Sequence, residues 1–158
     1  MTRLAFVLTA ILGLACILAP APVAAQDDAA GVTGAGEAVL PNGTAFNGVT
    51  LSGLTLGQGV SIARDGSATG QFQAVLLGTS FVGAPQDIIV EGEVSDGFVA
   101  GDGSATLRGT ATVDMGDGTL PLLGVPFTVT ASTGSLGLIL GATALPTASV
   151  TAGSITIE

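Results

Sequence analysis

From residue 35 onward the chain alternates, with apolar side chains recurring at every second position. Phe72, Ala74 and Leu76 alternate with Gln71, Gln73 and Val75. The clearest run places Leu107, Gly109, Ala111 and Val113 on one parity and Thr106, Arg108, Thr110, Thr112 and Asp114 on the other. In an extended chain successive side chains point to opposite faces, so this run predicts a strand with one buried face and a threonine-rich face outward. Similar runs occur at 60–63, 88–94, 125–131 and 135–140, and again at Ile155 and Ile157.

Turn dipeptides separate the runs. Asp65-Gly66, Asp96-Gly97, Asp102-Gly103, Asp117-Gly118, Asn42-Gly43 and Asn47-Gly48 are the pairs best suited to the positive φ of tight hairpins. Together with the alternation they predict strands at 35–40, 49–56, 58–64, 69–78, 87–95, 103–114, 119–131, 135–141 and 148–157. No stretch has a helical period with caps at both ends. The predicted fold is all-β: an antiparallel meander of about eight or nine strands closed as a small β-barrel, with a two-sheet β-sandwich as the alternative. An outer-membrane barrel has a similar period, but it needs aromatic girdles, and Tyr and Trp are absent here.

The first 25 residues follow a different logic. Arg3 gives a positive start, residues 4–18 form an apolar stretch, Pro20 and Pro22 break it, and Val23-Ala24-Ala25 puts small residues before Gln26. This order predicts a secretory signal peptide cleaved between Ala25 and Gln26, and hence a periplasmic or extracellular protein. The apolar stretch falls short of the roughly 20 residues that span a bilayer, and no later run reaches that length, so no integral membrane anchoring is expected. Cys16 fits a lipid anchor poorly, because Gly13-Leu14-Ala15 departs from a lipoprotein cleavage box and the apolar run continues past it. Residues 26–34, small and polar with Asp27 beside Asp28, read as a flexible leader, which leaves 35–158 as a single domain.

Charge and residue inventory narrow the function. All 12 acidic residues lie beyond residue 25, where Arg64 and Arg108 are the only bases, giving a formal charge of −10. That balance repels phosphate backbones and anionic lipid, so no nucleic-acid partner is expected. The exported part has no cysteine and therefore no disulfide to hold it. Leu, Val, Ile, Phe and Met number 39 in residues 26–158, enough for one core and too few for two. Lys, His, Tyr and Trp are missing, which removes the usual general bases, Schiff-base amines and imidazole metal ligands.

Three stretches resemble the small repeats of secreted bacterial proteins known as post-COAP-1 domains. They are Gly103-Ser104-Ala105-Thr106-Leu107-Arg108-Gly109-Thr110-Ala111, Val125-Pro126-Phe127-Thr128-Val129-Thr130 and Gly153-Ser154-Ile155-Thr156-Ile157. The likeness covers about the last third of the chain strongly and the rest loosely. It departs at 132–140, where such domains carry an aspartate and an aromatic. The resemblance implies a compact secreted β domain and brings no catalytic residue with it.

The remaining candidates for chemistry are few. Glu91 and Glu93 sit two apart, on one strand face at roughly 7 Å, within the range of an acid–base pair for glycoside hydrolysis. Ile88, Val90 and Val94 occupy the opposite parity, so the two glutamates are expected on the solvent side. Asp114, Asp117 and Asp102 are the candidate oxygen ligands for calcium, although no established calcium-loop pattern is present and a plain hairpin turn explains them as well. Gly34-Ala35-Gly36 and Gly101-Asp102-Gly103 lack the helix and the base of a phosphate loop and read as hairpin glycines. The serines have no His or Lys to activate them. Asn42-Gly43-Thr44 is a glycosylation sequon as well as a turn, and Arg64 and Arg108 read as surface residues beside acids.

No catalytic residue, metal or cofactor is therefore assigned. The expected function is an exported, non-catalytic domain that acts by binding a protein or surface partner or by providing an extracellular structural surface. One alternative is a carrier of a small apolar ligand inside the barrel, with the leucine-rich residues 120–125 closing one end; a more remote one is a carboxylate-based glycoside hydrolase. The uncharged segments 136–140 and 155–157 are candidates for self-association wherever one of them forms a sheet edge.

Overall fold

The computed structural model describes residues 28–158. Within them the chain forms ten strands and no helix: β1 (Asp28–Val39), β2 (Ala45–Phe46), β3 (Val49–Ala63), β4 (Ser67–Thr79), β5 (Ile88–Val99), β6 (Ala105–Asp114), β7 (Leu122–Ser132), β8 (Ser135–Leu140), β9 (Thr143–Ala144) and β10 (Ala148–Ile157). All belong to one antiparallel sheet, with no second sheet to make a sandwich. Consecutive strands from β3 to β8 are neighbours, β10 follows β8, and β1 lies between β10 and β3, so the hydrogen bonds ring through eight strands. No helix among the described residues is long and apolar enough to cross a membrane.

Parity decides what lies inside. Phe72, Ala74 and Leu76 on β4, Ile88, Val90 and Val94 on β5, and Leu107, Ala111 and Val113 on β6 are all buried, as the alternation predicts. The centre is filled by Phe72 and Phe127, stacked with ring centroids 5.7 Å apart and planes at 24°. Phe127, on β7, reaches its partner on β4 across two strands that offer no side chain there. A Cβ at Gly92 of β5 would meet the Phe127 ring at 2.7 Å, and one at Gly109 of β6 would meet it at 3.0 Å.

The structure corrects several boundaries. The segment read as a flexible leader is, from Asp28, the start of β1, paired with β3 on one side and β10 on the other, and its Val32 is fully buried. Its small residues hid the pattern because crowding requires them: a Cβ on Gly36 would lie 2.2 Å from the Ala152 carbonyl oxygen. Gly34 and Gly36 are thus strand residues and not hairpin glycines. The expected break at 57 is also absent, since β1 and β4 hold β3 continuously through Gly57, Gln58 and Gly59. Asp96-Gly97 is no turn either; it sits inside β5 beside a register shift, with Gly97 facing in. The other pairs do turn the chain. Asn47 and Gly48, at φ 47° and 85°, form the two-residue connection between Phe46 and Val49, the double positive φ of a type I′ hairpin.

Because the rings of Phe72 and Phe127 occupy the middle of the core, Phe127→Ala is expected to cost about 3–5 kcal/mol of unfolding free energy in urea titrations. A loss below about 1 kcal/mol would mean that the interior is not packed around this pair.

Candidate functional site

The alternation places Glu91 and Glu93 on the outer wall, both exposed, while Val90, Gly92 and Val94 face inward. The register sets Gln73 and Thr112 on either side of Glu91, and Gln71 and Thr110 on either side of Glu93. These side chains line a shallow groove of about 420 Å³. Its lining holds no aromatic ring for a sugar to stack on. The two glutamates sit on the solvent face of the strand.

The aspartate candidates do not converge. Asp102 lies in the turn after β5, at one end of the ring, whereas Asp114 and Asp117 lie at the other end of β6, about 30 Å away along the strand. No group of three metal-ligating side chains occurs among the described residues. Each carboxylate instead organises its own turn. Asp102 Oδ1 accepts bonds from the Ser104 N–H at 2.9 Å and the Ser104 hydroxyl at 2.7 Å. Asp65 does the same with Ser67, at 2.9 and 2.6 Å, and Asp117 with Thr119, at 2.9 and 2.7 Å. The shared signal is Asp-Gly-Ser/Thr: glycine takes the positive φ and the hydroxyl residue returns to the aspartate. In all three the hydroxyl bond, then the N–H bond, holds the carboxyl below the ordinary aspartate value. Asp114 accepts the Gly116 N–H at 2.9 Å.

The four connections at the Asp117 end divide in two. Leu40, Phe46 and Leu145, in the connections after β1 and β8, are buried and close the core. The connections after β4 and β6 carry outward apolar residues, Phe81 at 94% exposed, Val82 at 70% and Leu120 at 89%, and Leu123 at the start of β7 is 78% exposed. The leucine-rich residues 120–125, expected to close the barrel, thus largely point away from it. The two outward loops are tied to one another and to the sheet. The Gln86 side-chain amide donates to the Met115 carbonyl at 2.9 Å, and Asp87 Oδ1 accepts the Gly78 N–H at 3.1 Å. Main-chain bonds Ser80 to Ala84 and Gly83 to Ser80, at 2.8 and 2.9 Å, hold Phe81 and Val82 at the apex of a tight turn.

No family model, curated protein or solved structure matches this chain.

The other sequence candidates have structural roles. Arg108 faces Asp96 at 3.9 Å, both about half exposed, a pairing worth roughly 0–1 kcal/mol, and its guanidinium lies 6.0 Å from the Phe98 ring centroid. Arg64 follows β3 into the hairpin before β4. Thr44 of the sequon is buried and donates to the Pro41 carbonyl at 2.7 Å, locking the turn that carries Asn42. Ala25 and Gln26, the expected cleavage pair, lie outside the described residues, as does Cys16. Sequence reasoning missed Gln58, the lone polar residue of inward parity between Leu56 and Val60. It is buried, and neither Nε2 nor Oε1 has a partner among the described residues. It also missed Phe81 and Val82, which the sequence hides in a short connection without periodicity.

The lowered aspartate values fix the sign of an acid response. A carboxyl whose value falls on folding contributes stability above its unfolded value, and that contribution is lost as pH falls through the folded one. Melting temperature is therefore expected to drop below about pH 4, and the drop to be shallower in an Asp65→Asn, Asp102→Asn, Asp117→Asn variant. Equal slopes in thermal melts of the two proteins would contradict the turn assignment.

Proposed function

We propose that the protein is an exported, acidic, non-catalytic β domain that works by binding, through the apolar end formed by the β4–β5 and β6–β7 connections. The observation that carries this reading is the near-complete exposure of Phe81 and Leu120, on loops that hydrogen bonds hold in place, with Val82 beside the first and Leu123 at the start of β7 also exposed. Large apolar side chains gathered on an ordered surface gain free energy only when another molecule covers them. The charged residues adjoining this apolar end, Asp87, Asp114 and Asp117, are all acidic. The partner that fits is an apolar pocket or surface rimmed by Lys or Arg, on a protein and not on a nucleic acid or an anionic membrane. Export rests on the signal-peptide pattern of the first 25 residues, and the likeness to post-COAP-1 domains implies the same kind of compact secreted unit.

The apolar-carrier reading has less support. It needs room inside the ring, where Phe72, Phe127 and the inward leucines are packed, and the groove beside Glu91 and Glu93 is lined largely by outward-facing polar side chains. A membrane-spanning barrel also fits poorly, because the outer wall presents Gln71, Gln73, Glu91 and Glu93 where lipid requires an apolar band.

A Phe81→Ser, Leu120→Ser, Leu123→Ser variant is expected to keep the parent's circular dichroism spectrum and melting temperature and to lose most of its enhancement of Nile red fluorescence. Undiminished dye binding, or reproducible turnover of an ester, glycoside or peptide by the purified protein, would contradict the reading.

A further inference from the structure

The ring is closed unevenly at one seam, and we infer from that seam that the protein self-associates as a two-fold dimer, β10 pairing with β10 of a second copy. On one side β1 accompanies β10 along most of its length. On the other, β8 accompanies only its beginning: Ala148 faces Leu136, Ser149 faces Ser135, and the Val150 N–H donates to the Gly134 carbonyl at 3.0 Å. There β8 ends in the β7–β8 hairpin, and residues 151–157 have no strand partner on that side among the described residues. Thr151, Ala152, Gly153 and Ser154 are exposed on both parities, as an open edge requires. Segment 136–140, the other candidate for association, is enclosed between β7 and the β9 and β10 strands.

The phase of the ladder identifies the open groups. Gly31 and Glu158 exchange both main-chain bonds, at 2.8 and 2.9 Å. Antiparallel pairs alternate between bonded and non-bonded, so Thr156 and Ser154 also bond β1, while the N–H and C=O groups of Gly153, Ile155 and Ile157 point away from it. A second β10 placed antiparallel about a two-fold axis at Ile155 matches all of them. Ile155 bonds its own copy, Gly153 bonds Ile157 of the partner, and Ile157 bonds Gly153 of the partner. Between Gly153 and Ile157 every outward group on both edges is matched, and self-pairing supplies that match without a second sequence. The half-buried Ile157 then covers Gly153 of the partner, where no side chain competes. Outward, Ser154 meets Thr156 of the partner. Segment 151–157 carries no charge, and in this register the two Glu158 carboxylates stand about 20 Å apart, so local repulsion does not oppose the contact. The net charge of each copy does oppose it, and salt screens that term.

The inference is independent of the loop-end reading, because the open edge runs toward the opposite end of the ring. The test is sedimentation velocity of the purified protein across a concentration series, at low and at moderate salt. A dimer is expected that tightens as salt rises. Ser154→Lys, Thr156→Lys sets like charges opposite one another twice and is expected to weaken association at least about tenfold. Ser154→Lys, Thr156→Glu sets opposite charges there and is expected to restore it. Both pairs of side chains are exposed, so circular dichroism should be unchanged. A monomer at all concentrations, an open-ended polymer, or a dimer indifferent to both variants would overturn the inference.

Discussion

Two phenyl rings can stack across a sheet only if the strands between them stay out of the way, and that steric condition organises this protein. Phe72 on β4 and Phe127 on β7 meet over β5 and β6, which present Gly92 and Gly109 at the crossing. The glycines let the wall bend close around the rings, and the rings fill what the glycines leave open. Leucine, isoleucine and valine from the inward parity of the surrounding strands pack against this centre. Without disulfides in the described residues, that core must hold the fold.

With the interior filled, the surfaces open to other molecules are on the outside. Of the four connections at one end of the ring, two fold their apolar residues inward to finish the core, and two present theirs to solvent on bonded turns. Phe81 holds its ring in solvent, whereas the wall groove beside Glu91 and Glu93 is lined by polar side chains. The carboxylates that looked like metal ligands organise turns: Asp102 and Asp117 bind the hydroxyl residue two positions on, and Asp114 binds the Gly116 N–H. The one polar side chain committed to the interior, Gln58, has neither role, and both of its amide atoms lie in the core without a partner among the described residues.

The fold was legible wherever side-chain size alternated. β4, β5 and β6 could be placed from Phe72, Ile88 and Leu107 and their second neighbours, because parity alone assigns those faces. It was illegible where glycine and alanine removed the contrast, as in β1, whose Val32 is the single large inward residue before Ala38, and across Gly57 and Gly59 in β3. Asp96-Gly97 misled because a bulge in a strand and a hairpin use the same dipeptide. The loop end could not be read from the sequence at all. Phe81 and Leu120 stand in short connections, where sequence gives no sign of whether an apolar residue plugs a core or faces water.

The central claim is that Gly92 is small because Phe127 lies on it. A double-mutant cycle on unfolding free energy, with Gly92→Ala and Phe127→Leu, tests this directly. The account predicts that Gly92→Ala is destabilising in the parent and costs at least about 1 kcal/mol less once Phe127 is leucine. Additive effects within about 0.3 kcal/mol would contradict it, because the ring and the glycine would then not share the same space.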